Sequence, residues 1–265
     1  MKFDMHCHTK EGSLDGQVAI ADYIRILKDK GFDGMVISDH NSYNGYRRWK
    51  KNIKGKKYRD FVVLKGIEYD TIDAGHILVI MPETLKLRIL EMRGLPVGLL
   101  IDIVHRYGGI LGPTHPCGER YLSFINTRKQ RNKEAVMERF DFVESFNSCE
   151  SRESNAGAAR LADKYHKPGF GGSDSHREDC IGTAYTEFPV KIECESDLIR
   201  CVKYGVGITC GGVYYTGTTK QKIGVFNEVL VQSFWVYNRV TGWARKPRRK
   251  KELKKRDMKI KIPQK

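Results

Sequence analysis

His6 and His8 stand one residue apart in Lys2–His8, a segment whose alternation of polar and apolar residues predicts a β-strand. Side chains two apart on a strand leave the same face, so both imidazoles can grip one cation. A lone H-x-H pair is equally a pair of polar strand residues, and the rest of the chain gives it weight. Six of the eight histidines (His6, His8, His40, His76, His115 and His176) lie beside a carboxylate or after an apolar stretch. Glu68, Glu144 and Asp174 share that placement, whereas His105 and His166 fall inside helical patterns and are set aside. Mixed imidazole and carboxylate ligands suit zinc, manganese or iron, while calcium takes oxygen almost throughout. Glu68, within K-G-I-E-Y-D, has two oxygens and suits a bridge between two ions. Gly171 and Gly172 before Asp174 allow close backbone approach, although the same pair suits a plain turn.

These residues need a scaffold that gathers them. Apolar spacing predicts a helix over Val18–Lys30, a strand over Gly34–Ser38 and a helix over Tyr43–Ile53. Further strands are expected at Phe61–Ile67, Gly75–Met81, Gly109–Thr114, Phe140–Phe146 and Gly169–Ser173, with helices at Val97–Tyr107 and Ser154–Lys164. After about Val190 the pattern weakens to one more helix, Ser196–Tyr204, and a Gly/Thr-rich stretch from Gly205 to Thr219. Short strands alternating with helices predict an α/β fold, either a barrel or a doubly wound sheet. The barrel is favoured, because His8, Asp39, His40, Glu68, His115, Glu144, Asp174 and His176 follow strands at their C-terminal ends. In a barrel those ends share one mouth.

Seven ordered segments resemble the polymerase and histidinol phosphatase (PHP) superfamily. They are D-M-H-C-H-T near the start, I-S-D-H-N-S at Ile37–Ser42, G-I-E at Gly66–Glu68, G-H-I-L-V-I at Gly75–Ile80, P-T-H-P at Pro113–Pro116, V-E-S-F-N at Val143–Asn147 and G-S-D-S-H at Gly172–His176. The resemblance spans Lys2 to about Val190 and implies a distorted seven-stranded (β/α)7 barrel with a site for two or three divalent ions. It implies His6, His8, Glu68 and Asp174 as ligands of a first ion, and Glu68 as a bridge to a second held by His76 and His115, with Glu144 near it. His40 and His176 are implied for a third, joined by Asp15 of L-D-G, with Glu11 close enough to compete. Asp39 reads as an acceptor that orients a ligand histidine.

The chemistry implied is hydrolysis of a phosphomonoester or of a nucleotide or oligonucleotide phosphodiester, with Glu68, Asp174, His176 and Arg120 as the catalytic set. A hydroxide held between ions about 3.5 to 4 Å apart is available at neutral pH, and the same ions neutralise phosphoryl charge. Arg120 in P-C-G-E-R and Arg177 beside His176 are candidates for a phosphate clamp, or else solvated surface arginines. A histidinol-phosphate or other small-molecule phosphatase is one alternative. Another is a nucleic-acid-binding module with a structural metal centre. Hydrolysis of C–N bonds is disfavoured, because no lysine follows a strand where a bridging carbamate would form.

Of 265 residues, 40% are hydrophobic and 30% charged, as in an ordinary globular protein. Seven cysteines contain no C-x-x-C pair, which argues against a zinc ribbon and for reduced thiols; Cys7 and Cys117 read as packing residues. No apolar leader precedes Asp4, so the chain is expected in the cytoplasm. The boundaries read as a hydrolase domain over 1–220, an amphipathic segment over 221–244 and a basic tail over 245–265. Val225–Val240 is interrupted by Glu228, Asn238 and Arg239 and so does not span a membrane. Twelve Lys or Arg against Glu252 and Asp257 fall between Arg245 and Lys265, carrying most of the net charge of +15. That tail is expected to be disordered until it meets nucleic acid or an anionic membrane surface. Eight basic residues between Arg47 and Arg59, interleaved with Trp49 and Tyr58, suit a nucleotide or single-stranded nucleic acid, or else a solvated helix face.

Overall fold

Alternation at the N-terminus becomes strand β1 (Lys2–Cys7), with Phe3, Met5 and Cys7 packed in apolar clusters and Asp4, His6 and then His8 buried as polar groups. A computed structural model of the chain describes residues 1–217 except 86, 119–121 and 206, together with 251 and 254. Helix α1 (Ile20–Asp29) follows, burying Ile20, Tyr23, Ile24, Ile26 and Leu27, and leads to β2 (Gly34–Ile37) and α2 (Asn44–Asn52). Then come β3 (Val62–Asp70), β4 (His76–Ile80), α3 (Val97–Arg106) and β5 (Ile110–Pro113). Helix α4 (Lys133–Arg139), β6 (Val143–Asn147), α5 (Arg152–Lys164) and β7 (Gly169–Gly172) complete the part that carries site residues. Strand β8 (Ala184–Glu187), α6 (Glu195–Lys203) and β9 (Thr209–Gly212) close the described fold.

The expected α/β class holds, but the pairing departs from a regular barrel of parallel strands. A seven-stranded sheet runs β5-β4-β3-β2-β1-β8-β9, and β6 pairs with β7 separately. Strands β1, β2 and β3 are parallel, whereas β4 is antiparallel to both β3 and β5. Strand β8 is antiparallel to β1 and to β9. The result is a curled half-barrel sheet with a two-stranded ribbon beside it. Links beyond the strands join the two: Asp174 N donates to His6 O at 2.9 Å, His8 N to Ser175 O at 3.2 Å, and Asp141 N to Leu111 O at 2.9 Å.

The antiparallel course of β4 has a direct effect on the site. Register pairs Asp70 with His76, so the start of β4 lies beside the end of β3. His76 therefore enters from a strand beginning, where a parallel barrel would offer only strand ends. Strand β3 also runs three residues beyond the expected Ile67, which places Glu68 and Asp70 within it.

Helices α4 and strands β8 and β9 have no counterpart in the sequence expectations. Lys133–Arg139 is short and mostly charged, and Thr-Cys-Gly-Gly in β9 has low strand propensity and is held by its pairing with β8. Helix α5 starts where Ser151 Oγ accepts the Ser154 N–H at 3.1 Å, an N-cap worth about 1 kcal/mol. Cys7 packs with α1 and α2 in the core, away from the histidines, and all seven cysteines are unbridged. Among the described residues no helix is long and apolar enough to cross a membrane. The amphipathic segment 221–244 and the basic tail, apart from Lys251 and Lys254, lie outside the described residues.

Candidate metal centre

Glu68 sits at the middle of the histidines, with its two carboxylate oxygens facing different sets. Oε1 lies 3.1 Å from His76 Nδ1 and 3.1 Å from His115 Nε2, and it accepts the Thr114 hydroxyl at 2.8 Å. Oε2 lies 3.3 Å from His6 Nε2, 3.3 Å from His8 Nε2 and 3.1 Å from His40 Nδ1. Asp174 Oδ1 adds to the second set, 3.6 Å from His6 Nε2 and 3.3 Å from His8 Nε2. On the far side of His8, Asp15 Oδ2 is 3.3 Å from His176 Nε2 and 3.8 Å from His40 Nε2. Asp70 Oδ1 is 3.3 Å from His76 Nε2 and 3.7 Å from His40 Nδ1.

Among the described residues, four overlapping groups have ligand atoms all within 4.8 Å of one another: His6, His8 and Glu68; Glu68, His76 and His115; His40, Asp70 and His76; and His8, His40 and His176. Several of these atoms are buried without a hydrogen-bond partner, namely His6 Nε2, His8 Nε2, Glu68 Oε2 and Asp70 Oδ1. They approach their neighbours without the alignment a hydrogen bond needs. An unsatisfied buried polar atom costs about 1 to 3 kcal/mol, and a shared cation removes that cost from several at once. The residues present fit divalent ions of the zinc, manganese or iron kind.

Charge in the cluster is unevenly settled. Burial works to raise the Glu68 pKa, but His6, His76 and His40 hold it well below the usual carboxylate range. Burial disfavours charge on His6, yet Glu144, Glu68 and Asp174 lift it well above the usual imidazole value. His8 moves the other way, lowered by burial and then by His176 and His40, and so offers a neutral nitrogen. His40 is raised to about 10, because Glu68, Asp70 and Asp15 outweigh its burial. Asp15 is held well below the usual range by His176, His40 and His8 against its own burial.

A surrounding set of contacts aims these groups. Glu144 Oε1 lies 2.8 Å from His6 Nδ1, and its Oε2 accepts the His115 N–H at 2.6 Å. Asp4 accepts Ser173 N at 2.9 Å and Ser173 Oγ at 2.6 Å, fixing the residue before Asp174. Asp39 touches no ring; it accepts Thr9 N at 2.6 Å and Ser13 Oγ at 3.2 Å, and Ser13 Oγ lies 3.1 Å from His8 Nδ1. The expected orienting role of Asp39 thus runs through a serine. His115 and Asp174 hold positive φ of 31° and 51°, a conformation uncommon in non-glycine residues. Gly172 is needed for close approach, since a Cβ there would lie 2.2 Å from His6 Cβ.

All ten residues expected as ligands (His6, His8, Asp15, His40, Glu68, His76, His115, Glu144, Asp174 and His176) converge here. Asp15, Glu144 and Asp174 belong to none of the four groups, and Glu144 stands behind His6. Glu11 points away from the cluster, its Oε2 accepting Ile20 N at 3.1 Å at the start of α1. Arg120 lies outside the described residues. Arg177 is exposed, with Nε 3.5 Å from Asp179 Oδ1. Asp70 is a further member that the sequence expectations lack, although it lies two residues after Glu68, the spacing that puts both on one strand face. Of the basic run Arg47–Arg59, Arg47 pairs with Glu91 and Lys54 lies over the Trp49 ring.

The PHP domain family matches residues 4–165, and the PHP-associated family matches residues 152–206. No curated protein matches the chain. Its fold is similar to that of PsfC from Pseudomonas syringae, with TM-score 0.58 and 16% identity over 88% of this chain and 98% of that one. A candidate metal-dependent phosphoesterase from Bifidobacterium adolescentis gives TM-score 0.54 and 14% identity over 77% of this chain and 96% of that one. The lesion-specific endonuclease PfuEndoQ from Pyrococcus furiosus gives TM-score 0.57 and 17% identity over 79% of this chain and 57% of that one. The domain match takes in more than half of the chain, from Asp4 through Tyr165, and on that ground the chain belongs to the PHP domain family.

Proposed function

We propose that this protein is a metal-dependent phosphoester hydrolase whose ions gather around Glu68. The observation that carries the reading is the division of that carboxylate, with Oε1 toward His76 and His115 and Oε2 toward His6, His8 and His40. In this reading His6, His8, Asp174 and Glu68 hold one ion, and Glu68, His76 and His115 a second. His40, His176 and Asp15 are placed for a third, with Asp70 between His40 and His76. Bound divalent ions would supply a water-derived nucleophile at neutral pH and neutralise charge on the phosphoryl oxygens.

The chain's own residues do the rest. Glu144 turns His6 so that Nε2 faces Glu68, where an ion would be held, and Ser13 does the same for His8. His176, anchored through Nδ1 to Asp174 O at 2.9 Å and only partly buried, turns Nε2 toward Asp15, where it would serve the third ion. The substrate is a phosphomonoester or a nucleotide or oligonucleotide phosphodiester, a range supported by the similarity to PfuEndoQ and to the candidate phosphoesterase.

The test is a panel of histidinol phosphate, nucleoside bisphosphates, short RNA and p-nitrophenyl phosphate, run with manganese, zinc or iron and paired with elemental analysis. Glu68→Gln is expected to abolish turnover while the fold persists by circular dichroism. Turnover retained in that variant sinks the bridging role. Salt-sensitive RNA binding without cleavage of any substrate favours a binding module instead.

A further inference from the structure

Cys149 and Cys180 meet beside the backbone of Asp174. Their sulfurs lie 3.4 Å apart, although the residues stand 31 positions apart in the chain. Cys149 follows β6, where its N–H donates to Asn147 Oδ1 at 2.9 Å, and Cys180 closes the short turn Glu178–Cys180. Both thiols donate to one carbonyl, Ser173 O, at 3.3 and 3.4 Å, and Cys149 Sγ lies 3.9 Å from Asp174 O. Ser148 Oγ donates to the same Ser173 O at 2.9 Å. The peptide that leads into Asp174 is therefore held by three side chains, two of them thiols.

Neither thiol holds an ion or a substrate in the hydrolase proposed above, yet Asp174 depends on the backbone they touch. Its φ is +51°, and its N–H donates to His6 O at 2.9 Å while Oδ1 lies 3.6 and 3.3 Å from the rings of His6 and His8. A disulfide draws two sulfurs to about 2.05 Å, far inside their present separation, and takes both S–H donors away from Ser173 O. A close-packed interior passes such a shift to its neighbours. A small oxidant has a way in. Cys149 keeps 9% of its surface exposed, and exposed Arg177, Glu178 and Asp179 precede Cys180. The backbone bonds that close this turn are long, Cys180 N to Arg177 O at 3.3 Å and Ile181 N to Glu178 O at 3.4 Å, so it opens locally at small cost.

We propose that Cys149 and Cys180 form a reversible disulfide when a peroxide reaches them, and that its closure loosens the hold of Asp174 on a metal ion. One thiol takes an oxygen from hydrogen peroxide, giving a sulfenic acid and one water. The other sulfur then attacks it; the S–S bond forms, the S–O bond breaks, and the hydroxyl leaves with the second thiol's proton as water. Two thiols and one peroxide thus yield one disulfide and two waters. Exchange with an added dithiol reverses the bridge. The effect on metal rests on the ligand role of Asp174 proposed above.

The test takes the full chain loaded with zinc, which does not itself reduce peroxide, and exposes it to hydrogen peroxide. Thiols are titrated, peptides are mapped by mass spectrometry, and zinc affinity is read by competition with a chromogenic chelator. The seven titratable thiols are expected to lose one pair, with a peptide carrying Cys149 joined to one carrying Cys180. Affinity for the ion at Asp174 should fall at least tenfold, and dithiothreitol should restore both thiols and affinity. Cys149→Ser and Cys180→Ser should keep their zinc affinity through the same treatment. Seven surviving thiols, a bridge between other cysteines, or a Cys149–Cys180 bridge with unchanged zinc affinity each overturns the proposal. So does an equal loss of zinc in the serine variants; should either fail to fold, the map and the affinity of wild type still decide. If the bridge closes and frees zinc in a chain that, when reduced, turns over no phosphoester, the hydrolase reading falls and the thiol switch stands.

Discussion

Glu144 holds His6 from behind: its Oε1 is 2.8 Å from His6 Nδ1, while Nε2 of the same ring faces Glu68 at 3.3 Å. The imidazole is thus fixed in tautomer and direction before any ion arrives. Carboxylates placed in this way raise the basicity of a ligand histidine, and their loss costs about 10- to 100-fold in metal affinity. Glu144→Gln is therefore expected to weaken the tightest ion by that order and, because the buried carboxylate also pairs with His6, to lower the melting temperature of the metal-free protein. Competition with a chromogenic chelator measures it, and an affinity equal to wild type refutes the assignment.

Asp70 lies between His40 and His76, and its removal offers a sharper discrimination. Asp70→Asn keeps the shape beside His40 and His76 but removes the charge, so the metal complement should fall by one ion or its weakest affinity drop at least tenfold. The ion between His6, His8 and Asp174 should persist. Elemental analysis after dialysis decides, and an unchanged stoichiometry and affinity would place Asp70 outside the ligand set.

Gly172→Ala introduces a methyl group that meets His6 Cβ at 2.2 Å and Glu144 Oε1 at 2.8 Å. Forced overpacking of this kind costs about 1 to 3 kcal/mol, and here the displaced atoms are those of the site. Stability and metal affinity should fall together, which chemical denaturation and metal titration will show. A variant with normal metal binding would mean that the backbone yields without disturbing β1.

The pH response follows from the histidines and buried acids. His40 rises from 6.5 to about 10, against its burial, through Glu68, Asp70 and Asp15. A raised folded-state value means the stabilisation is complete below 6.5 and is lost as pH climbs through about 10. Burial raises Asp4 and Asp39 from 3.8 to about 6, so folding favours their neutral forms and stability declines across that lower interval too. Metal-free protein should accordingly lose melting temperature from weakly acidic to alkaline pH. Ions displace the protons on His6 and His40, so loading should release protons and grow tighter as pH rises. Calorimetry in buffers of different ionisation enthalpy counts them; binding with no proton release contradicts the charge pattern.

The sequence disclosed most of the ligand set because H-x-H, G-I-E and G-S-D-S-H keep their chemistry within a few residues. Residues that act through the backbone left weaker traces. Ser13 reaches His8 across five positions, and Asp4 holds Ser173 across 169, so neither spacing signals a contact. Strand direction was equally hidden. Gly75–Met81 reads as a strand in either orientation, and only the short link from Asp70 to His76 shows that β4 turns back. Strand β9 carries glycines where β-branched residues would announce it, and it exists through its partner.

That reversal constrains the tight turn between β3 and β4. Thr71 N and Thr71 Oγ1 both donate to Gly75 O, at 3.0 and 2.6 Å, and a Cβ on Gly75 would strike Leu122 O at 2.4 Å. Adding or deleting one residue there would slip the register of β4 by one and swing His76 to the opposite side of the sheet. Most surface connections tolerate such changes in length, but this five-residue span, Thr71–Gly75, works as a ruler whose length sets whether the sixth histidine meets the other five.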